Sequence, residues 1–436
     1  MTTPREIEVR PPGVEPTLLV GLVCAGSTRS VVEDHLDELE RLVDTAGGEV
    51  VGRLIQERPA PDPATMVGSG FVSRIADRAA EDQVRSVVFD EDLTASQVRN
   101  LERVMPEGVK VLDRAAVILD IFAARARSRE ARTQVELAQL NYLLPRLTRR
   151  WRHLSRQAGG IGTRGVGETQ LEIDRRLVSR RIAQLKDKLE VIERDRRLRR
   201  ERRREMPTVA LVGYTNAGKS SLFRALSRAQ VLVEDRLFAT LDPRARRVAM
   251  GDDVTVVLTD TVGFIRKLPH DLVAPFRSTL EEAVDADLVL HVVDAAHPSW
   301  EDHLRVGDEV LEGLGVAGER VLVVLNKIDL IAGRPPHLPD NRPGLAVSAA
   351  TGRGLDELRV EIRRQLLSGP GVVLLRVPLD EPEMVQRAVG LPHQLARRYR
   401  ADTVEIALTV DGWRLAEAGL DAYQVDRWDE ARDGGG

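Results

Sequence analysis

The chain has 436 residues, 42% hydrophobic and 30% charged, and its 64 basic against 68 acidic side chains leave a net charge of −4. That composition excludes a disordered chain, and the longest apolar runs, such as Thr17 to Cys24, are too short to cross a bilayer. A single cysteine, Cys24, rules out an internal disulfide, and an N-terminus without the basic-then-apolar layout of a secretory leader makes a cytoplasmic protein the expectation.

Strand patterns at 17–24, 50–55, 84–89 and 109–112 alternate with helical ones. Val32, Leu36, Leu39, Leu42 and Val43 share a helical face that stops at Gly47 and Gly48. Val72 to Ala80 reads as a second helix. Thr94, with Gln97 three residues on, marks a capping box for a third running to Val104. Such alternation predicts a small, parallel, doubly wound domain. Gly68-Ser69-Gly70 reads as a turn rather than a phosphate contact, because no clear strand precedes it.

The character then changes. Ala115 to Ala124 and Glu130 to Leu143 are helical in pattern, and Pro145 ends the second. Nine residues rich in glycine, Gly159 to Gly167, carry Arg164 and Gly165. A long helix is expected from Gln170 to Glu205, with Leu171, Ile182, Leu185, Leu189 and Ile192 as its apolar stripe. Between Arg175 and Glu205 it holds 14 basic and 6 acidic residues. A basic rod beside a glycine-rich loop in an otherwise acidic chain predicts a polyanionic partner. Arg164, Gly165, Arg175 and Arg176 are the candidate contacts to structured RNA.

The chain's most specific stretch follows. Thr208 to Val212 is a short apolar strand, then come Gly213-Tyr214-Thr215-Asn216-Ala217-Gly218-Lys219-Ser220, then a helical pattern through Leu222, Phe223 and Leu226. Strand, GxxxxGK[ST], helix is the phosphate-binding loop in its required context. The glycines let successive N–H groups face phosphate oxygens, and the helix N-terminus favours the anion. Lys219 supplies charge, and the Ser220 hydroxyl is placed to ligate Mg²⁺. In Phe238-Ala239-Thr240-Leu241-Asp242, the threonine Thr240 can ligate Mg²⁺ when a γ-phosphate is present, ordering the segment, though its role depends on the motifs around it. Asp260-Thr261-Val262-Gly263 closes the strand Val254 to Leu258, with Asp260 reaching Mg²⁺ through water and the Gly263 amide facing the γ-phosphate. Leu288 to Val293 is the next strand. The strand Val321 to Leu325 ends in Asn326-Lys327-Ile328-Asp329, where a carboxylate at Asp329 accepts from guanine N1–H and the 2-amino group. Asn326 can bond the base edge, the Lys327 stem can lie over the ring, and Val347-Ser348-Ala349 backs the guanine O6. Four motifs in order, each at a strand end, predict a guanine-nucleotide site with Lys219, Thr240 and Gly263 as its catalytic set.

The residue after Gly263 is Phe264, which cannot orient water, so slow intrinsic hydrolysis accelerated by a partner is expected. Asn216 offers an oxygen that fits K⁺ beside the phosphates. From Gly371 the tail shows strand patterns at Val372 to Val377 and Val404 to Val410, with helical patterns at Met384 to Val389 and Leu395 to Tyr399. Trp413 and Trp428 are expected to pack in this tail rather than stack on bases, and Gly434 to Gly436 to be disordered.

The sequence resembles the HflX family of translation-associated GTPases. The resemblance rests on Arg164-Gly165-Val166-Gly167-Glu168-Thr169-Gln170, on GYTNAGKS from Gly213, FATLD from Phe238, DTVGFI from Asp260, STLEE from Ser278 and NKID from Asn326. It implies an α/β protein in which a P-loop GTPase domain (207–368) follows a parallel α/β subdomain (1–120) and a basic helical subdomain (121–206). A small α+β domain (371–436) would complete the chain. It further implies Mg²⁺ on Ser220 and Thr240, GTP and GDP as ligands, and a monomer that binds the large ribosomal subunit and its rRNA without spanning a membrane. Separation of stalled or idle 70S ribosomes is the implied activity. The competing expectation is an RNA-binding assembly or checkpoint GTPase that does not split ribosomes. Val166, Gly68 to Phe71, and Arg244 with Ala245 depart from the family pattern.

Overall fold

The structure, a computed structural model, describes residues 14–147, 170–201, 206–227, 238, 244–251, 254–266, 282–339, 342–369, 371–410 and 412–426. The chain forms two compact units, one built on residues up to Glu190 and the other on residues from Val191.

In the first unit, β1 (Glu15–Val23) is buried from Pro16 to Leu22, as a central parallel strand covered on both faces must be. Helix α1 (Arg29–Ala46) begins where Thr28 accepts the Val31 N–H and stops at Gly47, φ +91°. Then come β2 (Gly48–Glu57), α2 (Ser69–Glu81), β3 (Ser86–Phe89), α3 (Ala95–Glu102) and β4 (Lys110–Asp113). The sheet runs β2-β1-β3-β4, all parallel. The Thr94–Gln97 capping box is formed. Gly68 to Gly70 make the first turn of α2, with the Gly68 N–H donated to Gln56 Oε1 at 2.9 Å.

The carboxyl ends of β3 and β4, where an open parallel sheet commonly takes its ligand, are filled by the chain itself. Arg114 is 1% exposed, donates to Asp90 Oδ1 at 2.6 Å and pairs with Glu38. Asp113 accepts from the Leu93 and Ala116 N–H groups, from Tyr142 at 2.8 Å and from Arg146 at 3.1 Å. Helices α4 (Arg114–Arg125) and α5 (Arg129–Leu143) follow, with Pro145 in a 3₁₀ turn after α5. In α6 (Gln170–Glu201), Val178, Ile182 and Leu185 pack with Leu137, Leu140 and Leu144, and Arg181 holds both oxygens of Glu136. Arg175 and Arg176 lie exposed on α6. The glycine-rich stretch with Arg164 and Gly165, residues 202–205, and the side chains of Trp413 and Trp428 lie outside the described residues, as do Gly434 to Gly436.

The second unit starts with β5 (Thr208–Gly213) and α7 (Lys219–Ser227), then β6 (Arg244–Gly251), β7 (Val254–Asp260), β8 (Leu288–Asp294), α8 (Trp300–Gly313) and β9 (Val321–Asn326). It continues through β10 (Gly344–Ala346), α9 (Leu355–Leu367), β11 (Val372–Pro378), α10 (Pro382–Gly390), β12 (Gln394–Tyr399), β13 (Thr403–Thr409), α11 (Gly412–Glu417) and β14 (Gln424–Val425). Strands β10-β9-β8-β5-β7 are parallel and β6 runs antiparallel to β7. The same sheet continues as the antiparallel set β12-β13-β11-β14, joined through the pair Ala396–Val254. Leu395, Ala396 and Ala407 share one core with Val256, Leu258 and Leu290.

One expectation is corrected here. Leu395 to Tyr399 is strand β12 and not helix, because it forms a hairpin with β13 and spends its main-chain groups on that pairing. Six residues of mixed polarity do not fix their own state, and the neighbouring strand decides it. Strand β6 was not visible in the sequence. Only Val248 and Met250 point inward from it, and Arg244, Arg246 and Arg247 are exposed along an antiparallel edge.

His291 on β8 is wholly buried, and a Cβ at residue 307 would lie 2.2 Å from its Nε2, so only a glycine there lets α8 cross. Burial holds the His291 imidazole below its ordinary pKa, against the pull of Asp308 at 3.2 Å.

Candidate nucleotide site

The site lies at the carboxyl ends of β5, β7 and β9. β5 is buried from Val209 onward and delivers Gly213 at φ +141°, where a Cβ would meet the Val292 carbonyl at 2.1 Å. No other residue fits that turn. Gly218, φ +89°, is equally closed, since its Cβ would lie 2.3 Å from Asn326 Nδ2. Between them Asn216 is exposed and left-handed at φ +62°, and Thr215 and Ala217 are buried.

Lys219 opens α7 and is buried. Its Nζ donates to the carbonyls of Gly213 at 3.0 Å and Tyr214 at 2.8 Å. Burial pushes this amine down to about 8, with Asp260 pulling in the opposite direction. Ser220 Oγ donates to Asp260 Oδ2 at 2.7 Å. A hydroxyl and a carboxylate oxygen meeting beside a lysine are the hard donors that suit Mg²⁺. Thr261 donates to the Leu211 carbonyl at 2.7 Å, and Val262 is buried. Gly263 sits against the loop, for a Cβ on it would lie 2.8 Å from Thr215 and 2.9 Å from Lys219 Nζ. Phe264 is buried, with its ring edge-on to His291 at 6.4 Å. The position after Gly263 thus turns its side chain into the core.

At the other end, Asn326 spans two loops. Its Nδ2 donates to the Ala217 carbonyl at 2.9 Å, and its Oδ1 accepts the Ala349 N–H at 3.0 Å. The amide expected at the base edge thus also braces the phosphate loop against the Ser348-Ala349 loop. Lys327 is left-handed, φ +64°, and its Nζ pairs with Asp294 Oδ2 at 2.7 Å. Ile328 is buried, Asp329 is exposed in the following 3₁₀ turn, and Ser348 is buried with its hydroxyl accepting from Thr351. Phe238, which groups with the first unit, is buried edge-on to Phe122 at 4.7 Å. Ala239, Thr240, Leu241 and Asp242 lie outside the described residues.

Phosphate arriving at Lys219 restores the charge that burial weakens. On nucleotide binding Lys219 is expected to take up about half a proton near pH 8 and almost none near pH 6, with affinity falling as pH rises above about 8. Calorimetry in two buffers of different ionisation enthalpy measures this. Identical heats in both at pH 8 would contradict it.

Sequence reasoning missed Asp294, the partner of Lys327, and the His303 ring that stacks on Tyr214 at 3.9 Å. Asp294 ends a strand, the one signal that could have found it. His303 sits inside a helix and carries no motif.

Three family models match in succession: "GTP-binding GTPase N-terminal" over residues 33–123, "GTP-binding GTPase Middle Region" over 125–203 and "50S ribosome-binding GTPase" over 208–327. The chain is 45% identical over 360 residues to the GTPase HflX of Escherichia coli K12, covering 81% of this chain and 84% of that one. It is 50% identical over 342 residues to the GTPase HflX of Magnetococcus marinus, covering 77% and 79%. Among solved structures, a GTP-binding protein of Sulfolobus solfataricus in complex with GDP is 25% identical and covers 80% of this chain and 98% of its own. Its TM-score is 0.42, too loose a superposition to bear on the site.

Proposed function

Because the chain belongs to the HflX family of GTPases, we propose that it docks on the large ribosomal subunit in its GTP state and separates stalled or idle 70S ribosomes. The observation that carries this reading is the joining of Gly213–Ser220, Asp260–Gly263 and Asn326 within one site, in a stretch (208–327) matched as a 50S ribosome-binding GTPase, with Asn326 also holding Ala349 beyond it.

In this reading GTP binds with its phosphates on the amides between Gly213 and Ser220, and Lys219 exchanges its two carbonyl partners for phosphate oxygens. Mg²⁺, when bound, neutralises the charge that develops on the phosphates. Ser220 and Thr240 are the residues to hold it, with Asp260 acting through water. Gly263 presents its amide to the γ-phosphate, and Asp329 reads the base. With Phe264 turned inward, the water is oriented by what docking brings, so the ribosome stimulates hydrolysis. K⁺ beside Asn216 is part of the proposal. Arg164, Gly165, Arg175 and Arg176 contact rRNA, the chain acts as a monomer in the cytoplasm, and the divisions at 120, 206 and 370 separate its working parts. No helix among the described residues is long and apolar enough to cross a membrane.

The test is a sucrose gradient of 70S ribosomes with the protein and GTP or a non-hydrolysable analogue. Loss of the 70S peak supports splitting. An intact 70S peak with binding to precursor particles supports the assembly-factor reading. Turnover on 50S particles should be faster in K⁺ than in Na⁺, and equal rates would remove K⁺ from the site.

A further inference from the structure

The segment that follows Asp260 is held by more than the phosphate loop's main chain. The Phe264 N–H donates to the Gly213 carbonyl at 2.9 Å, and the Thr215 N–H donates to the Phe264 carbonyl at 2.7 Å, a short parallel bridge. Two residues on, the Arg266 N–H donates to the Tyr214 hydroxyl at 2.9 Å, and the Arg266 guanidinium pairs with Asp302. The Tyr214 ring lies flat on the His303 imidazole, centroids 3.9 Å apart and planes 11° from parallel. Asp302 and His303 are neighbours in the first turn of α8. Tyr214 and His303 are both buried, and His297 packs against His303 at 4.4 Å.

We infer that Tyr214, Arg266, Asp302 and His303 form a latch that fixes Gly263 beside Lys219 and thereby sets the preference for a triphosphate over a diphosphate. The inference rests on the GTPase reading and deepens it. The Gly263 amide has work only when a γ-phosphate is present. Its place next to Lys219 is set from both sides, by the bridge at Phe264 and by the anchor at Arg266. Holding a donor in position before the ligand arrives removes the ordering cost from binding. Asp302 and His303 belong to no nucleotide motif themselves. They act through Arg266 and through the ring of Tyr214, and are positioning residues. A diphosphate does not reach Gly263, so its affinity does not register the latch.

The experiment is equilibrium binding of fluorescent GDP and of a fluorescent non-hydrolysable GTP analogue to the full chain and three variants. His303→Ala removes the stack, Asp302→Asn removes the charge that anchors Arg266, and His303→Phe keeps a flat ring under Tyr214. The first two should weaken the triphosphate analogue about threefold to tenfold and leave GDP within about twofold. His303→Phe should stay close to the parent in both. GDP affinity doubles as the check that the variants are folded. Equal weakening of both nucleotides would reduce the cluster to packing and overturn the inference, as would a triphosphate-to-diphosphate ratio unmoved in all three variants. If the parent protein showed no preference for guanine nucleotides, the GTPase reading itself would fail and the latch with it.

Discussion

Asp329→Asn is expected to lower GTP affinity by about 10³- to 10⁴-fold while raising affinity for xanthosine triphosphate. The Asp329 side chain stands exposed at the end of β9, in a turn whose preceding residues are locked. Asn326 is braced between two loops, Lys327 is tied to Asp294, and Ile328 is buried. A carboxylate on so rigid a mount can accept from N1–H and the 2-amino group of guanine at once. An amide presents a donor to one of them and leaves it unpaired. Xanthine, with an oxygen at position 2, matches the amide. Competition binding with guanosine, adenosine and xanthosine triphosphates is the measurement. Unchanged GTP affinity in the variant would mean that the base is read elsewhere.

Arg114→Leu should destabilise the first unit by about 3 to 5 kcal/mol, because it takes the guanidinium from two carboxylates already out of water. Asp90 and Glu38 meet that guanidinium where β3 and α1 approach α4, and His35 stands 3.6 Å from Asp90. Urea denaturation followed in the far ultraviolet reads the effect. Adding Asp90→Asn and Glu38→Gln to the same chain should recover part of the loss. A drop below about 1 kcal/mol in the single variant would show that water reaches the cluster.

Much of the second unit was legible in its sequence because strand ends and motifs coincide. Val209 to Val212 and Val321 to Leu325 are continuous apolar runs, Leu288 to Val293 is interrupted only by His291, and a strand buried on both faces is written nearly that way. Gly213 and Gly218 could be singled out by the GxxxxGK[ST] spacing, and their positive φ and closed surroundings give the physical reason for it. What escaped depends on contacts distant in the chain. Strand β6 offers two inward side chains among arginines, below what periodicity can detect. Leu395 to Tyr399 takes its conformation from a strand that begins four residues later. The pairing of Tyr214 with His303 joins a loop to a helix 89 positions away, and neither residue type announces the other. Asn326 was read as a base contact from its motif, and its bonds to the Ala217 carbonyl and the Ala349 N–H, which no motif announces, came only with the structure.

The pairing of Ala396 with Val254 makes β7 a tie rod. One end of that strand is gripped by the tail, and the other, roughly 20 Å along, carries Asp260. Whatever takes hold of the tail therefore handles the same seven residues that end at Asp260. Cutting the chain before β11 would not trim an ornament but strip a neighbour from the strand that leads to the reactive end, leaving Val254 and Val256 at an open seam.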